Sequence, residues 1–313
     1  MLYTLSRQMA ETLDDTKSKR IAIVTGGNKG IGFEICRQLA SKGIMVILTA
    51  RDAKKGNEAL VKLKAEGLVD VVFHPLDVAD PATVATLAEY MKTQFGKLDI
   101  LVNNAGITGA IINPEDRKNL NLGDLDVITG PKAKSIKKFV KQTYETAENC
   151  LKTNYYGIKQ VSQALIPVLE QSKSARIINV SSTLGQLKLI PNETARKELG
   201  DVDGLTEEKI DKVVEEFLED VEQDLVETKG WPTIFSAYKV SKAAVNAYTR
   251  VLASKYPRIA INAVCPGFTK TDLNGNTGGQ PVEKGAEGPV KVALAPDGGP
   301  SGFFFDQTEI STF

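Results

Sequence analysis

Short apolar runs alternate with helix-like segments through most of the chain, and this rhythm limits the fold more than any other feature. Ile21–Val24, Ile44–Leu48, Val71–Phe73, Leu98–Val102, Arg176–Val180 and Ile259–Val264 read as strands. Their nearly continuous apolar character fits strands covered on both faces. Helical patterns lie between them, over Gly32–Lys42, Lys54–Glu66, Pro81–Phe95, Cys150–Leu169 and Ser236–Lys255. A βαβα order of this kind predicts an α/β fold on a doubly wound parallel sheet. Phe303–Phe305 is a candidate last strand.

Two stretches interrupt the rhythm. Residues 107–148 are long and polar, with Lys132, Lys134, Lys137, Lys138 and Lys141 in the middle. Residues 186–232 are longer still and contain an amphipathic helix. In it Ile210, Val213, Val214, Phe217, Leu218, Val221 and Leu225 recur at helical spacing. Thr206 is the expected N-cap, with Glu207 and Glu208 in the dipole-favoured first turn. From Asp201 to Lys229, twelve acids face three lysines, a balance of minus nine. This reads as a solvated outer face, and also as a helical cap whose apolar stripe covers the core near the active site. The expected organisation is a mobile tail at 1–17 and one domain at 18–313, with insertions at about 107–148 and 186–232.

Bulk properties exclude several classes. Lys plus Arg and Asp plus Glu both number 39, so net charge gives no reason to expect nucleic-acid or membrane-surface partners. No run approaches the roughly 18 apolar residues needed to span a bilayer. The first twenty residues lack the apolar centre of a signal peptide. Cys36, Cys150 and Cys265 are odd in number and widely spaced, as expected of reduced thiols in a cytoplasmic protein. His74 is the only histidine, which excludes a multi-histidine metal site; no metal is expected.

The first strand runs into Thr25-Gly-Gly-Asn-Lys-Gly-Ile-Gly32, which opens a helix. Glycines at Gly26, Gly30 and Gly32 let the chain turn tightly. The backbone of Asn28, Lys29 and Ile31 can then approach a pyrophosphate at the helix N-terminus. The spacing departs from GxGxxG, yet its place between strand and helix marks a Rossmann-type dinucleotide site. Near the end of the second strand, where NAD sites carry an acid, stands Arg51. With Lys29 it suits the 2′-phosphate of NADPH. Asp52 is the competing candidate, serving NAD after a shift of register. Asp77 and Val78, after the third strand, are placed to meet adenine; the alternative is that Asp77 caps the Pro81 helix.

Tyr238 and Lys242 stand four apart on a helical pattern, so a phenol and an ammonium share one face. With the glycine turn, Asn103-Asn-Ala-Gly106, Asn179-Val-Ser-Ser182 and Pro266-Gly267, they follow the order of the short-chain dehydrogenase/reductases, which the chain resembles over about residues 18–310. Gly-Gly-Asn-Lys-Gly-Ile-Gly-Phe-Glu-Ile-Cys and Gly-Gly-Pro-Ser-Gly-Phe-Phe most resemble its plant branch of menthone- and salutaridine-type reductases. The resemblance implies that Tyr238 protonates a carbonyl oxygen as hydride reaches carbon. A free phenol titrates near pH 10, and Lys242 and the oxidised nicotinamide are expected to lower it. Ser182 holds the substrate oxygen, and Asn154 positions a proton-relay water. Asn104, Ala105, Gly106, Pro266, Gly267, Phe268 and Thr271 line the cofactor groove with Tyr238 and Lys242. Ile107, Leu187, Phe268 and Leu273 are the expected pocket residues beside Ser182 and Tyr238.

The implied reaction is NADPH-dependent reduction of a bulky terpenoid or alkaloid ketone, reversible as alcohol oxidation. Reduction of a conjugated C=C bond and non-catalytic dinucleotide sensing are the rival readings. Ser182 precedes Tyr238 by 56 residues, against about a dozen in the family's common form. The 186–232 insertion makes that difference. It is expected to cover the helix surface through which many members pair, leaving a monomer.

Overall fold

A computed structural model of the chain describes residues 19–120, 122–123, 125–129 and 133–313. The tail expected at 1–17, and Lys132, lie outside the described residues. The chain opens with β1 (Ile21–Val24), α1 (Gly30–Ala40), β2 (Met45–Ala50), α2 (Ala53–Ala65), β3 (Val71–Pro75), α3 (Pro81–Gln94) and β4 (Ile100–Asn103). The first interruption carries α4 (Pro114–Asn119), α5 (Leu125–Thr129) and α6 (Ala133–Ile136), and leads into α7 (Tyr144–Leu151) and α8 (Gly157–Leu169). After β5 (Arg176–Val180), the second interruption carries α9 (Glu193–Gly200) and α10 (Glu207–Glu222). The chain ends with α11 (Ser236–Lys255), β6 (Ala260–Cys265), α12 (Val282–Ala293), β7 (Phe304–Asp306) and β8 (Glu309–Ser311).

The strands form one sheet in the order β3-β2-β1-β4-β5-β6-β7-β8. Every pairing is parallel except β7 with β8, a hairpin partner that the sequence pattern did not indicate. Strand side chains alternate between two cores. Ile21, Ile23, Leu101, Ile177 and Ile261 enter the cluster shared with α7, α8 and α11. Ala22, Val24, Ile100, Val102 and Ile178 enter the cluster on the opposite face, with α1, α2 and α12. Helices on both faces explain the continuous apolar runs. Strand order reverses between β1 and β4, where the carboxyl ends of such sheets leave a crevice for ligands.

The segment read as one helix over Cys150–Leu169 is interrupted. Lys152–Tyr156 winds as a π-turn between α7 and α8, and Asn154 is at its centre. Such turns often mark functional positions.

Thr206 caps α10, its hydroxyl accepting from the Lys209 N–H at 3.3 Å. The helix stops at Glu222, so Leu225 falls beyond it. Its apolar stripe, Ile210, Val213, Val214 and Phe217, is buried in the main core beside α7 and α11. It therefore thickens the helical layer instead of roofing the strand ends. That place belongs to a smaller cluster of Ile112, Leu122, Ile128, Ile136 and Val140, all from the first interruption, with Ile234.

Candidate active site

Backbone economy at the crevice begins with Thr25. Its hydroxyl accepts from the N–H groups of Asn104 (2.9 Å) and Ala105 (3.0 Å), while the Asn104 amide donates to the Thr25 carbonyl at 2.9 Å. The ends of β1 and β4 are thereby joined under the glycine turn. Gly26 and Gly30 adopt φ of 65° and 58°, the left-handed region that glycine enters without strain. A Cβ on Gly32 would lie 2.4 Å from both the Asn104 amide nitrogen and the Gly26 carbonyl. Lys29 enters α1 extended, with no side-chain cap and no acid in the first turn. Asn28 is half-buried within the turn. An uncapped helix N-terminus above a glycine cradle fits a dinucleotide's diphosphate.

Asp52 is committed to structure. Its carboxylate accepts from the Lys55 N–H at 3.0 Å and caps α2, which holds its carboxyl below the ordinary range. Arg51 is exposed just beyond β2. Lys29 instead reaches across the crevice to Asp272, at 2.7 Å, beside Thr271. Asp77 accepts from the Ala79 N–H at 3.0 Å, and Asp80 takes the cap of α3. Val78 is buried against Gly157, where an added Cβ would come within 2.9 Å.

Tyr238 and Lys242 lie near the start of α11, with the Lys242 ammonium 5.6 Å from the phenol ring centre. The ammonium donates to the Val180 carbonyl at 2.8 Å and is buried. Ser182, distant in sequence, reaches them through a tight turn. A Cβ on Gly185 would lie 2.5 Å from the Lys242 carbonyl carbon, so only glycine allows this approach. Ser181 donates to Asn246 at 2.6 Å, and Asn246 to the Gly185 carbonyl at 3.2 Å, fastening the turn to α11. Gly185 and Asn246 escaped the sequence reading because neither belongs to a spaced motif.

Burial dominates the protonation of this pair. Removal from water raises the Tyr238 phenol above its ordinary value, Cys265 adds to this, and the Ser182 hydroxyl pulls the other way. The same cause lowers Lys242 to about 8. Among the protein's own groups burial thus sets the phenol, which stays protonated; the lowering expected of Lys242 is one it shares with the oxidised nicotinamide. Asn154 is fully buried. Its amide accepts from the Ile107 N–H at 2.8 Å and donates to the Ile107 carbonyl at 2.9 Å and to Ser241 at 3.0 Å. Gly106 packs closely beside it, since a Cβ there would stand 3.3 Å from the Asn154 amide oxygen, tighter than an ordinary contact, and 3.8 Å from the Lys242 ammonium.

A cavity of about 370 Å³ opens above Ser182 and Tyr238, bounded on one side by Ile31, Pro266, Gly267 and Thr271. Phe268 and Leu273 line it as expected. Ile107 and Leu187 do not. Ile107 is engaged by Asn154, and Leu187 packs toward the main core beside Gly200. The lining instead includes Ile112, Leu122, Ile128, Leu184 and Phe235. The first three belong to the 107–148 stretch, whose apolar residues follow no motif and gave no positional signal.

A phenol beside an ammonium, next to a glycine turn at a helix N-terminus, is the equipment of a hydride-transferring oxidoreductase. The chain belongs to the short chain dehydrogenase family, whose model matches residues 20–194; a second model, described as enoyl-(acyl carrier protein) reductase, matches 224–291. It is 53% identical to salutaridine reductase of Papaver somniferum, over 97% of this chain and 100% of that one. The solved structure of that enzyme superimposes with a TM-score of 0.86 over 92% of this chain and 99% of that one. Menthone neomenthol reductase from Mentha piperita, at 48% identity, gives 0.79 over 93% and 100%. (-)-Isopiperitenone reductase of Mentha piperita is 51% identical over 92% of this chain and 96% of its own. Among the described residues, no helix is long and apolar enough to cross a membrane, and no histidine, cysteine or carboxylate cluster could hold a metal.

Proposed function

We propose that the protein reduces a bulky apolar ketone to a secondary alcohol with NADPH. One observation carries this reading: Ser182 and Tyr238 form the floor of a largely apolar cavity whose side wall is the cofactor groove. The glycine turn, Asn104–Gly106 and Thr271 would hold the dinucleotide, and Arg51 its 2′-phosphate, since Asp52 is occupied by its helix cap. The bound cofactor supplies hydride.

Ser182 donates a hydrogen bond to the ketone oxygen and fixes it beside the phenol. Tyr238 transfers its proton to that oxygen; burial keeps the phenol protonated but makes it a weaker acid, which the neighbouring cation must offset. Lys242, held by the Val180 carbonyl, stabilises the phenolate left behind. Asn154 secures the loop at Ile107, beside which the relay water would stand.

The relatives' names, and a cavity within the usual range for small-molecule sites, support a terpenoid or alkaloid ketone. α10 supports a monomer. It buries its stripe along the helical layer, and Asp211 accepts from the Tyr155 hydroxyl at 2.7 Å and pairs with Lys159. NADPH oxidation with menthone, isopiperitenone and salutaridine, with products separated chromatographically, tests the reaction. Alcohol products and a Tyr238→Phe variant that binds NADPH but loses about 100- to 10,000-fold in kcat are expected. A saturated ketone from the enone, or an active Tyr238→Phe, would overturn the assignment. Light scattering that finds a stable dimer at micromolar concentration would refute the monomer.

A further inference from the structure

α11 starts without a cap of its own. Phe235 precedes it at φ 51° and ψ 40°, a left-handed conformation rare for a bulky residue, and has no side-chain oxygen to offer the first turn. The missing acceptor comes from Gln142, about a hundred residues earlier. Its amide oxygen accepts from the Ala237 N–H at 3.0 Å, and its amide nitrogen donates to the Ser236 hydroxyl at 2.8 Å. On the other side of Tyr238, the buried Lys239 ammonium donates to the Ile128 carbonyl at 2.8 Å. Ser236, Ala237 and Lys239 are thus all bonded to the 107–148 segment, the segment that also supplies the cavity wall.

We infer that Gln142 and Lys239 are positioning residues. They lock the first turn of α11 to the segment that encloses the substrate, so Tyr238 is aimed only while that segment is seated. The inference rests on the proposed ketone reduction. Gln142 does not line the cavity and acts through the Ala237 N–H. A helix whose first turn frays shifts the phenol relative to Ser182, and small misplacements of a catalytic acid cost rate without weakening cofactor binding.

The test compares wild type, Gln142→Ala and Gln142→Glu with menthone and NADPH, together with amide hydrogen exchange across 236–239. Gln142→Ala should lower kcat about tenfold, leave KM for NADPH within about twofold, and speed exchange at Ala237. Gln142→Glu keeps an acceptor for that N–H and should restore both. If Gln142→Ala does not fold, Gln142→Met replaces it, keeping side-chain volume without the polar atoms. Unchanged kcat and exchange in the apolar variant, or a folded Gln142→Glu as impaired as it, would overturn the inference. If wild type leaves menthone untouched, the substrate reading fails separately. Exchange at Ala237 then decides the positioning role, with unchanged protection counting against it.

Discussion

Lys239→Met should stabilise the protein at neutral pH and slow it. The wild-type ammonium is buried with one carbonyl partner, and burial lowers its pKa from 10.5 to about 8. The unfolded chain keeps the ordinary value, so between pH 8 and 10.5 it binds more protons than the folded one. Wild-type stability from this group therefore rises with pH through that window. Below it, holding the charge inside costs about 3 kcal/mol, at about 1.4 kcal/mol per pH unit. Methionine fills the same space without charge and forfeits one hydrogen bond, worth about 1–2 kcal/mol. The variant should be about 1–2 kcal/mol more stable at pH 7, and that advantage should vanish and reverse to a deficit of about 1 kcal/mol by pH 10. Lys242 titrates in the same range but is common to both proteins and cancels in the difference. Urea unfolding of the two proteins at pH 7, 8, 9 and 10 measures the gap. A gap that stays constant with pH would refute the buried-charge reasoning. Lower kcat in the more stable protein would separate anchoring of the catalytic helix from folding.

Arg51→Ala should raise KM for NADPH about ten- to a hundredfold while leaving that for NADH within about twofold, because charge-assisted bonds to a phosphate are lost; equal effects in steady-state kinetics would contradict the 2′-phosphate assignment. Gly32→Ala would force a Cβ to within 2.4 Å of Asn104 and the Gly26 carbonyl. It should cost about 1–3 kcal/mol in thermal unfolding and abolish NADPH fluorescence enhancement. Asp211→Asn should weaken the ties of α10 to Tyr155 and Lys159, visible as faster hydrogen exchange confined to α10.

The cofactor half of the molecule was legible because its chemistry is carried by backbone. A strand, a turn that needs glycine, and a helix start leave a contiguous trace, and Gly26, Gly30 and Gly32 occupy that trace in order. Asp52 shows what sequence alone leaves open. Acid and base stand side by side at Arg51-Asp52, and only the geometry shows Asp52 capping α2. Lys242 shows it again: spacing places it beside Tyr238, but only the fold shows that both groups leave water, which raises the phenol and lowers the ammonium. The substrate half left no such trace, because Ile112, Leu122 and Ile128 meet Leu184 and Phe235 only after folding. Cavity walls of this kind require apolar bulk at a place, not a residue type at a spacing.

The two long interruptions consequently do different work, although the apolar stripe of the acidic one read as a cap near the active site. The second interruption buries Ile210, Val213, Val214 and Phe217 in the main core and is tied to Lys159 of α8 and Lys255 of α11 through Asp211 and Glu207, so its contribution is to the helical layer. The first contributes cavity wall at Ile112, Leu122 and Ile128 and, through Gln142 and the Ile128 carbonyl, holds the turn that carries Tyr238. The basic middle of the first meets the acidic second where Lys137 pairs with Glu227, holding the Glu227 carboxyl below its ordinary range. An exposed pair contributes little to stability and is screened by salt. Changes in substrate preference should therefore follow substitutions in 107–148, while substitutions along α10 should alter stability and association and leave the preference among ketones unchanged.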